Sequence, residues 1–113
     1  MQFLVIGKDG KDEKAMERRL AVREAHIKLG DGMEASGERW YGCAILDEKG
    51  KMVGSMAVLD FQSEKELQEY LKKEPYIVGK LWDTVEVSKC DVKSPWKFNR
   101  PQSFFEERLN INK

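Results

Sequence analysis

The sequence predicts an α+β fold with the element order strand, helix, strand, strand, helix, strand. Three observations support this prediction: an apolar β-branched start, two segments of helical composition, and an apolar hairpin between them. Right-handed crossovers around such a hairpin give the ferredoxin-like split βαβ arrangement with one antiparallel sheet. Because both helices cover the same face of this sheet, the other face needs a cover. A second copy of the sheet is the simplest one, so we predict a homodimer.

The first half of the chain begins with a strand and continues into a long helix. Residues 3–6 are apolar without alternation, as expected of a covered strand. Over residues 13–35 the apolar positions recur at helical spacing, and Gly37 is the predicted end signal. Gly30 and Gly32 each weaken a helix by roughly 1 kcal/mol relative to alanine, so fraying or a kink is expected there.

The middle of the chain predicts a β-hairpin. Apolar segments at residues 40–46 and 52–61 flank a short loop that contains one glycine. Gly42 and Gly54 interrupt these two strands. Glycine inside a strand indicates a bulge, or a close approach by another backbone or by a ligand.

The second helix and the last strand complete the predicted domain, and an apolar tail follows it. Residues 63–66, Ser-Glu-Lys-Glu, form a capping box, and Pro75 ends the helix that begins there. Residues 81–92 predict the last strand, so the domain is expected to span residues 1–94. The segment 95–113 is too apolar for a disordered end, and we expect it to dock on its own or on a partner subunit.

Composition restricts the class of protein. The 113 residues hold 20 acidic and 20 basic side chains, and this balance gives no reason to expect binding to nucleic acid or to a membrane. A signal peptide and an apolar run of ~20 residues are both absent, which predicts a cytoplasmic protein. Cys43 and Cys90 have no metal-ligand or redox spacing; free thiols are expected, with a disulfide left open. We expect no metal and no cofactor, since no fingerprint for either is present.

His26, the only histidine of the chain, is the first candidate for chemistry. Helical spacing places it on one apolar stripe with Val22 and Leu29. It is either a core histidine bonded to a backbone carbonyl or a proton-handling group on the floor of a pocket. Arg23, one turn earlier, is a candidate for binding an anionic substrate group. The other basic residues nearby predict a solvated face paired with Glu17 and Glu24: Arg18, Arg19 and Lys28.

Several short motifs, in this order, resemble the YciI-like family of dimeric α/β-barrel proteins over most of residues 1–92. They are the apolar first strand, the R-x-x-H motif at residues 23–26, a small-residue turn at Gly37, the strand end at residues 54–61, and Glu74-Pro75-Tyr76. The resemblance implies a ferredoxin-like protomer, a dimer formed by sheet packing, and a pocket in each protomer. It also implies that His26 and Glu74 are the catalytic pair, with Glu74 standing where the family has aspartate.

Two functions follow as alternatives. The first is a cofactor-independent enzyme of the lyase or isomerase type, in which Glu74 orients His26 for proton transfer on a small anionic or aromatic ligand. The second is a non-catalytic module that binds a small ligand or another protein; Glu74 alone is more typical of a solvated helix end than of a catalytic site. A third, weaker interpretation is a subunit whose tail docks on a larger partner. The candidate substrate-binding residues are Arg23, Ser55 and Tyr76, although a plain strand position and simple packing explain the last two as well.

Overall fold

A computed structural model describes residues 1–109 as a four-stranded antiparallel sheet with helices packed against it. The predicted α+β fold is confirmed, and the strand order β2-β3-β1-β4 is that of a split βαβ arrangement. A short helix between the second helix and the last strand was not predicted. The elements are β1 (Gln2–Asp9), α1 (Ala15–Ser36), β2 (Arg39–Leu46), β3 (Met52–Asp60), α2 (Glu64–Lys73), α3 (Pro75–Val78), β4 (Trp82–Cys90) and α4 (Gln102–Leu109).

The hydrophobic core lies between the sheet and the helices. Alternation along β1 buries Phe3 and Val5, and Leu59 of β3 pairs with Phe3 on the same face. The intervening residues of β1, Leu4 and Ile6, belong to the opposite face and stay half-buried. The helices and the chain around them supply the rest of the core: Ala15, Met33, Phe61, Leu67, Tyr70, Tyr76, Leu81 and Trp82.

Helix α1 is continuous over its 22 residues, so the fraying or kink expected at Gly30 and Gly32 is wrong. Gly30 is buried against the sheet, and this tertiary packing compensates for the low helix propensity of glycine. The end signal at Gly37 is confirmed. Its φ of +85° lies in the left-handed region that glycine adopts without a Cβ penalty, and its N–H bonds the carbonyl of Glu34 at 3.2 Å.

A β-bulge in strand β2 changes which face Arg39 occupies. Arg39 pairs with Leu59 and Tyr41 pairs with Val58, so β2 advances two residues while β3 advances one. Strict alternation from Tyr41 would place Arg39 on the face away from the helices. The bulge instead sets Arg39 opposite the buried Leu59, on the helix-covered face.

A second bulge does the same for Trp82 in strand β4. Lys8 pairs with Thr84, but the next residue of β1, Asp9, pairs with Trp82. The extra residue, Asp83, reverses the alternation at this end of the strand. Trp82 therefore joins the helix-covered face, where its indole covers Gly7; a Cβ on Gly7 would overlap the ring.

The α2–α3 junction is set by Pro75. Ser63 caps α2 as predicted, with its Oγ accepting from the Glu66 N–H at 3.3 Å. Glu66 reaches back to the N–H of Gln62 at 2.8 Å, one residue before the cap. Pro75 ends α2 as predicted, because Glu74 before it adopts an extended ψ of 119°. Pro75 is also the first residue of α3, a position that suits its fixed φ.

The remaining features concern the tail and the cysteines. Cys43 and Cys90 are free thiols, as expected. In the tail Phe104 packs its ring edge-on against Phe105 at 5.2 Å, whereas the predicted apolar position Ile111 lies outside the described residues. Within residues 1–109 the longest apolar stretches of helix fall short of what a membrane crossing requires.

Candidate functional site

A cavity of about 270 Å³ opens between α1, the α2–α3 junction and the helix-covered face of the sheet. A second cavity of about 480 Å³ lies beside the β1–α1 loop and is lined by none of the predicted site residues. All of the predicted site residues line the first cavity: Arg23, His26, Ser55, Glu74 and Tyr76.

The carboxylate of Glu74 is buried and receives three contacts. Its Oε1 lies 2.5 Å from Nδ1 of His26 and accepts the N–H of Tyr76 at 3.1 Å. Its Oε2 accepts the hydroxyl of Tyr70 at 3.0 Å. Glu74 is only 2% exposed, so a solvated residue at a helix end is the wrong interpretation. A histidine bonded to a backbone carbonyl is also wrong, since the partner of His26 is this carboxylate.

Local backbone geometry explains why Glu74 points inward. It is both the C-cap of α2 and the N-cap of α3. A side chain in the capping position turns back to accept a free N–H of the first helical turn, here that of Tyr76. Pro75 is thus the sequence signal that positions the carboxylate.

Tyr70 acts as a hydrogen-bond donor to Glu74. Burial raises the pKa of the Tyr70 hydroxyl well above its usual value of 10.0, and the neighbouring Glu74 raises it further. The positive charge of Arg39 opposes this shift, which places that guanidinium within electrostatic reach of Tyr70. The hydroxyl therefore stays protonated and donates its hydrogen bond to the carboxylate.

The imidazole of His26 is held in plane by aromatic neighbours. Its ring stacks on Tyr76 at 3.9 Å with an interplanar angle of 14°, and Trp82 meets it edge-on at 6.3 Å. A carboxylate can only accept, so when Glu74 is ionised Nδ1 is the donor of this pair. Nε2 makes no hydrogen bond within residues 1–109 and is the ring nitrogen free to exchange a proton.

The burial of Arg19 contradicts the prediction that it lies on a solvated face of α1. It is 2% exposed, and its Nε and Nη2 donate to the carboxylate of Asp9 at 2.8 and 3.0 Å. Its Nη1 donates to the hydroxyl of Tyr76 at 3.2 Å, and Nη2 also reaches the carbonyl of Gly54 at 3.3 Å. Arg18, expected beside Glu17, instead forms its ion pair with Asp12.

The position of Arg19 along α1 could have indicated that its side chain is buried. It lies two turns before His26, on the stripe that faces the sheet. Asp9 occupies the same phase of β1 as the buried Phe3 and Val5, and so faces the helices. The pairing of Arg19 with Tyr76 helps to hold the ring on which His26 stacks.

Arg39 is the second functional candidate that the sequence did not indicate. Its guanidinium lies where Cβ atoms at Gly30 and Gly42 would be, so these two glycines form a slot for it. The close approach predicted at Gly42 is therefore present, but a side chain makes it. A backbone makes the approach at Gly54, where an added Cβ would lie 2.7 Å from the carbonyl of Gly7.

Two further features complete the cavity. Ser55 is buried within its wall, while Arg23 is exposed at its edge. The indole Nε1 of Trp82 is buried without a hydrogen-bond partner in the part of the chain that the structure describes. Over the same residues, 1–109, no three His, Cys, Asp or Glu side chains are grouped as metal ligands.

Comparisons with known proteins place this architecture. The profile of the YCII-related domain matches residues 1–96. No curated protein sequence matches the chain. Among solved structures, 5-chloro-2-hydroxyhydroquinone dehydrochlorinase (TftG) from Burkholderia phenoliruptrix AC1100, in complex with 2,5-dihydroxybenzoquinone, aligns with a TM-score of 0.70 and 20% identity, covering 80% of this chain and 94% of that one.

Two other solved structures share the fold at lower similarity. A conserved protein from Methanosarcina mazei Go1 aligns with a TM-score of 0.51 and 7% identity, over 80% of this chain and 94% of that chain. A dimeric ferredoxin-like protein of unknown function from Jannaschia sp. CCS1 aligns with a TM-score of 0.51 and 10% identity, over 80% and 98%. At such identities the likeness confirms the ferredoxin-like fold.

Proposed function

The chain belongs to the YCII-related domain family, and we propose that it is a small cofactor-independent enzyme of the lyase or isomerase type. Its substrate is a small anionic molecule, and its reaction is a proton transfer. The observation that carries this proposal is the 2.5 Å contact between His26 Nδ1 and Glu74 Oε1 inside the cavity. The fold shared with TftG, a dehydrochlorinase, agrees with a protein that processes small molecules.

The chemistry follows from the pairing of these two side chains. Ionised Glu74 keeps the proton of His26 on Nδ1, so that the lone pair of Nε2 accepts a proton from an acidic C–H or O–H group. The imidazolium that forms lies beside a buried carboxylate, which stabilises it. Returning the proton to a different atom of the substrate completes an isomerisation. Giving it to a departing group completes an elimination.

The other lining residues have separate roles in this proposal. Arg23, exposed at the edge of the cavity, attracts an anion towards it. Ser55 offers a hydroxyl from the wall. Tyr76 is a positioning residue, because its ring stacks on His26 and its hydroxyl already accepts a hydrogen bond from Arg19.

Hydrogen exchange on a panel of small organic anions tests the proton transfer. Hydroxyquinones, including 2,5-dihydroxybenzoquinone, and β-keto acids are incubated with the protein in D₂O, and C–H signals are followed by NMR. We expect catalysed exchange for part of the panel, loss in His26→Gln, and a roughly 10²–10⁴-fold reduction in Glu74→Gln. The surface variant Arg18→Gln is the control. Exchange that survives in His26→Gln, or catalysis of none of the panel, overturns the proposal in favour of a binding module.

We also propose that the protein is a homodimer in which a second copy covers the face of the sheet away from the helices. Leu4 and Ile6 pair with Val58 and Met56 on that face, which makes its centre apolar. The Jannaschia protein that shares the fold is dimeric. Sedimentation velocity is expected to show a dimer for the wild type and a monomer for Val58→Lys. The control is Val78→Lys on α3, where the native side chain is 63% exposed.

The docking of residues 95–113 belongs to the same proposal. Tyr41, on the face away from the helices, and Phe98 of the tail line one shallow depression of about 280 Å³. The tail therefore begins at the edge of the surface that the second copy would cover. Truncation after Ser94 is expected to weaken the dimer, as measured by the concentration dependence of its sedimentation, without unfolding the domain.

A further inference from the structure

The Arg39 guanidinium is a cation with unused hydrogen-bond donors inside a cavity. A guanidinium carries five N–H donors. Within residues 1–109 the side chain forms no hydrogen bond, and its one charged partner is the carboxylate of Glu34 at 3.4 Å. The Arg39 side chain is 19% exposed and that of Glu34 is 52% exposed, so a half-exposed carboxylate only partly neutralises an enclosed cation. None of the Arg39 nitrogens is among the buried side-chain atoms of residues 1–109 that lack a partner, so these donors are accessible from the cavity that Arg39 lines, where an acceptor can reach them.

The other charges of the cavity already have partners. Arg19 donates to both oxygens of Asp9, and the carboxylate of Glu74 accepts from three groups. Arg39 and the exposed Arg23 are the cations left without a full set of partners among the described lining residues. The cavity therefore has an excess of positive charge, and Arg39 holds the more enclosed share of it.

We propose that Arg39 is the specificity-determining residue of this cavity and that it binds a carboxylate, or another planar oxyanion, of the ligand through paired N–H donors. This inference rests on the proposed function, since it names the substrate class of the same site. Arginine suits this role because its planar fork matches two oxygens at once. The slot between Gly30 and Gly42 fixes the guanidinium on both sides, so little side-chain entropy remains to be lost on binding.

The location of Arg39 connects the anion site to the proton-transfer group. Arg39 comes from β2 and reaches the cavity because of the bulge, whereas His26 comes from α1. Arg39, Tyr70 and His26 all line the same cavity, and Tyr70 donates to the carboxylate that contacts His26. A ligand anchored at Arg39 is therefore held within the group of residues that contains the imidazole.

Calorimetric titration with benzoate and with benzamide tests the inference. These probes have the same size and shape, but only benzoate carries the charge. The wild type is expected to prefer benzoate. Arg39→Met should weaken benzoate binding about tenfold or more, since a hydrogen bond to a charged group is worth about 1.5–3 kcal/mol, and should leave benzamide nearly unchanged. Arg39→Lys, which keeps the charge and loses the fork, should fall in between.

Two control variants separate binding from a structural role. Arg18→Gln removes one positive charge from α1, outside the cavity lining, and should not change the preference for benzoate. Glu34→Gln removes the competing carboxylate and should tighten benzoate binding, an effect that a purely structural Arg39 would not produce. A wild type that binds the two probes equally, or binds neither, overturns the inference, and so does an unchanged preference in Arg39→Met.

The proposed reaction and the proposed anion site can be contradicted independently of each other. His26→Gln should abolish deuterium exchange and leave the preference for benzoate in place. Absence of catalysed exchange in the wild type, with the preference for benzoate intact, would contradict the enzyme and keep the anion site. Intact exchange with no preference for the charged probe would do the reverse.

Discussion

Arg19 and Arg39, two of the three arginines that line the cavity, are held in opposite ways. Arg19, on α1, is 2% exposed and donates to the Asp9 carboxylate, the Tyr76 hydroxyl and the Gly54 carbonyl. Arg39, on β2, lies between two glycines and has one charged partner at 3.4 Å within the described chain. Both line the same cavity, but the chain itself satisfies the hydrogen-bond donors of only the first.

This difference distinguishes a structural cation from one available to a ligand. A buried guanidinium with satisfied donors is part of the packing, and removing it leaves its carboxylate partner unpaired. A guanidinium with free donors gives the fold little and is available to an incoming acceptor. The chemical type of a residue does not separate these cases, whereas its hydrogen-bond partners do.

Arg19→Met is the variant with the largest expected effect. It removes the partner of the buried Asp9, and breaking a buried pair from one side costs about 3–5 kcal/mol of the free energy of unfolding. Urea unfolding measures the loss. Arg39→Met is the matched comparison and should cost below about 1 kcal/mol, since its partner Glu34 is half exposed. Equal losses of stability in the two variants would show that Arg19 and Arg39 contribute equally to the fold.

Tyr70→Phe tests the satisfied network around Glu74 and is expected to have the next largest effect. The variant loses a buried hydrogen bond to a carboxylate, about 1.5–3 kcal/mol at pH 7. Because folding raises the pKa of Tyr70, its contribution is complete below the ordinary pKa of 10.0 and declines as the pH rises above it.

The pH dependence provides the control for this variant. Urea unfolding at pH 7, 9 and 10.5 should show the wild type losing stability in the last interval. Tyr70→Phe should lose less there, since it has no hydroxyl at this position to ionise in the unfolded state. Parallel profiles of stability against pH in the wild type and in Tyr70→Phe would show that a group other than Tyr70 causes the loss at high pH.

Gly30→Ala and Gly32→Ala test whether the slot between Gly30 and Gly42 positions Arg39. Their expected effects on stability are the smallest. At Gly32 an added Cβ meets nothing within 4 Å, so alanine should stabilise the helix by about 0.5–1 kcal/mol. At Gly30 the same Cβ would overlap the Arg39 guanidinium and displace it. Benzoate affinity should therefore fall in Gly30→Ala and not in Gly32→Ala. Equal affinities would show that the slot does not position Arg39.

Local signals in the sequence predicted the fold and the inward position of His26, whereas the pairing of His26 with Glu74 was implied only by the resemblance to the YciI-like family. The helical spacing of apolar residues and the capping box depend on neighbours a few residues away, and they placed helices α1 and α2 correctly. The helical stripe placed His26 towards the interior, and Pro75 marked the break at which Glu74 turns inward. These features were predictable because a residue's immediate chain neighbours suffice to set them.

Another part of the site depends on strand register. Counting alternate residues from Tyr41 and from Val85 sends Arg39 and Trp82 to the wrong face of the sheet. One extra residue in each strand reverses this, and such a bulge depends on the partner strand, on hydrogen bonding across the sheet and on the packing above it. The burial of Arg19 likewise required Asp9 to be brought beneath α1. Chain-local periodicity therefore specified the side of α1 on which the imidazole lies, whereas contacts between distant segments assigned Arg19 and Arg39 their separate environments.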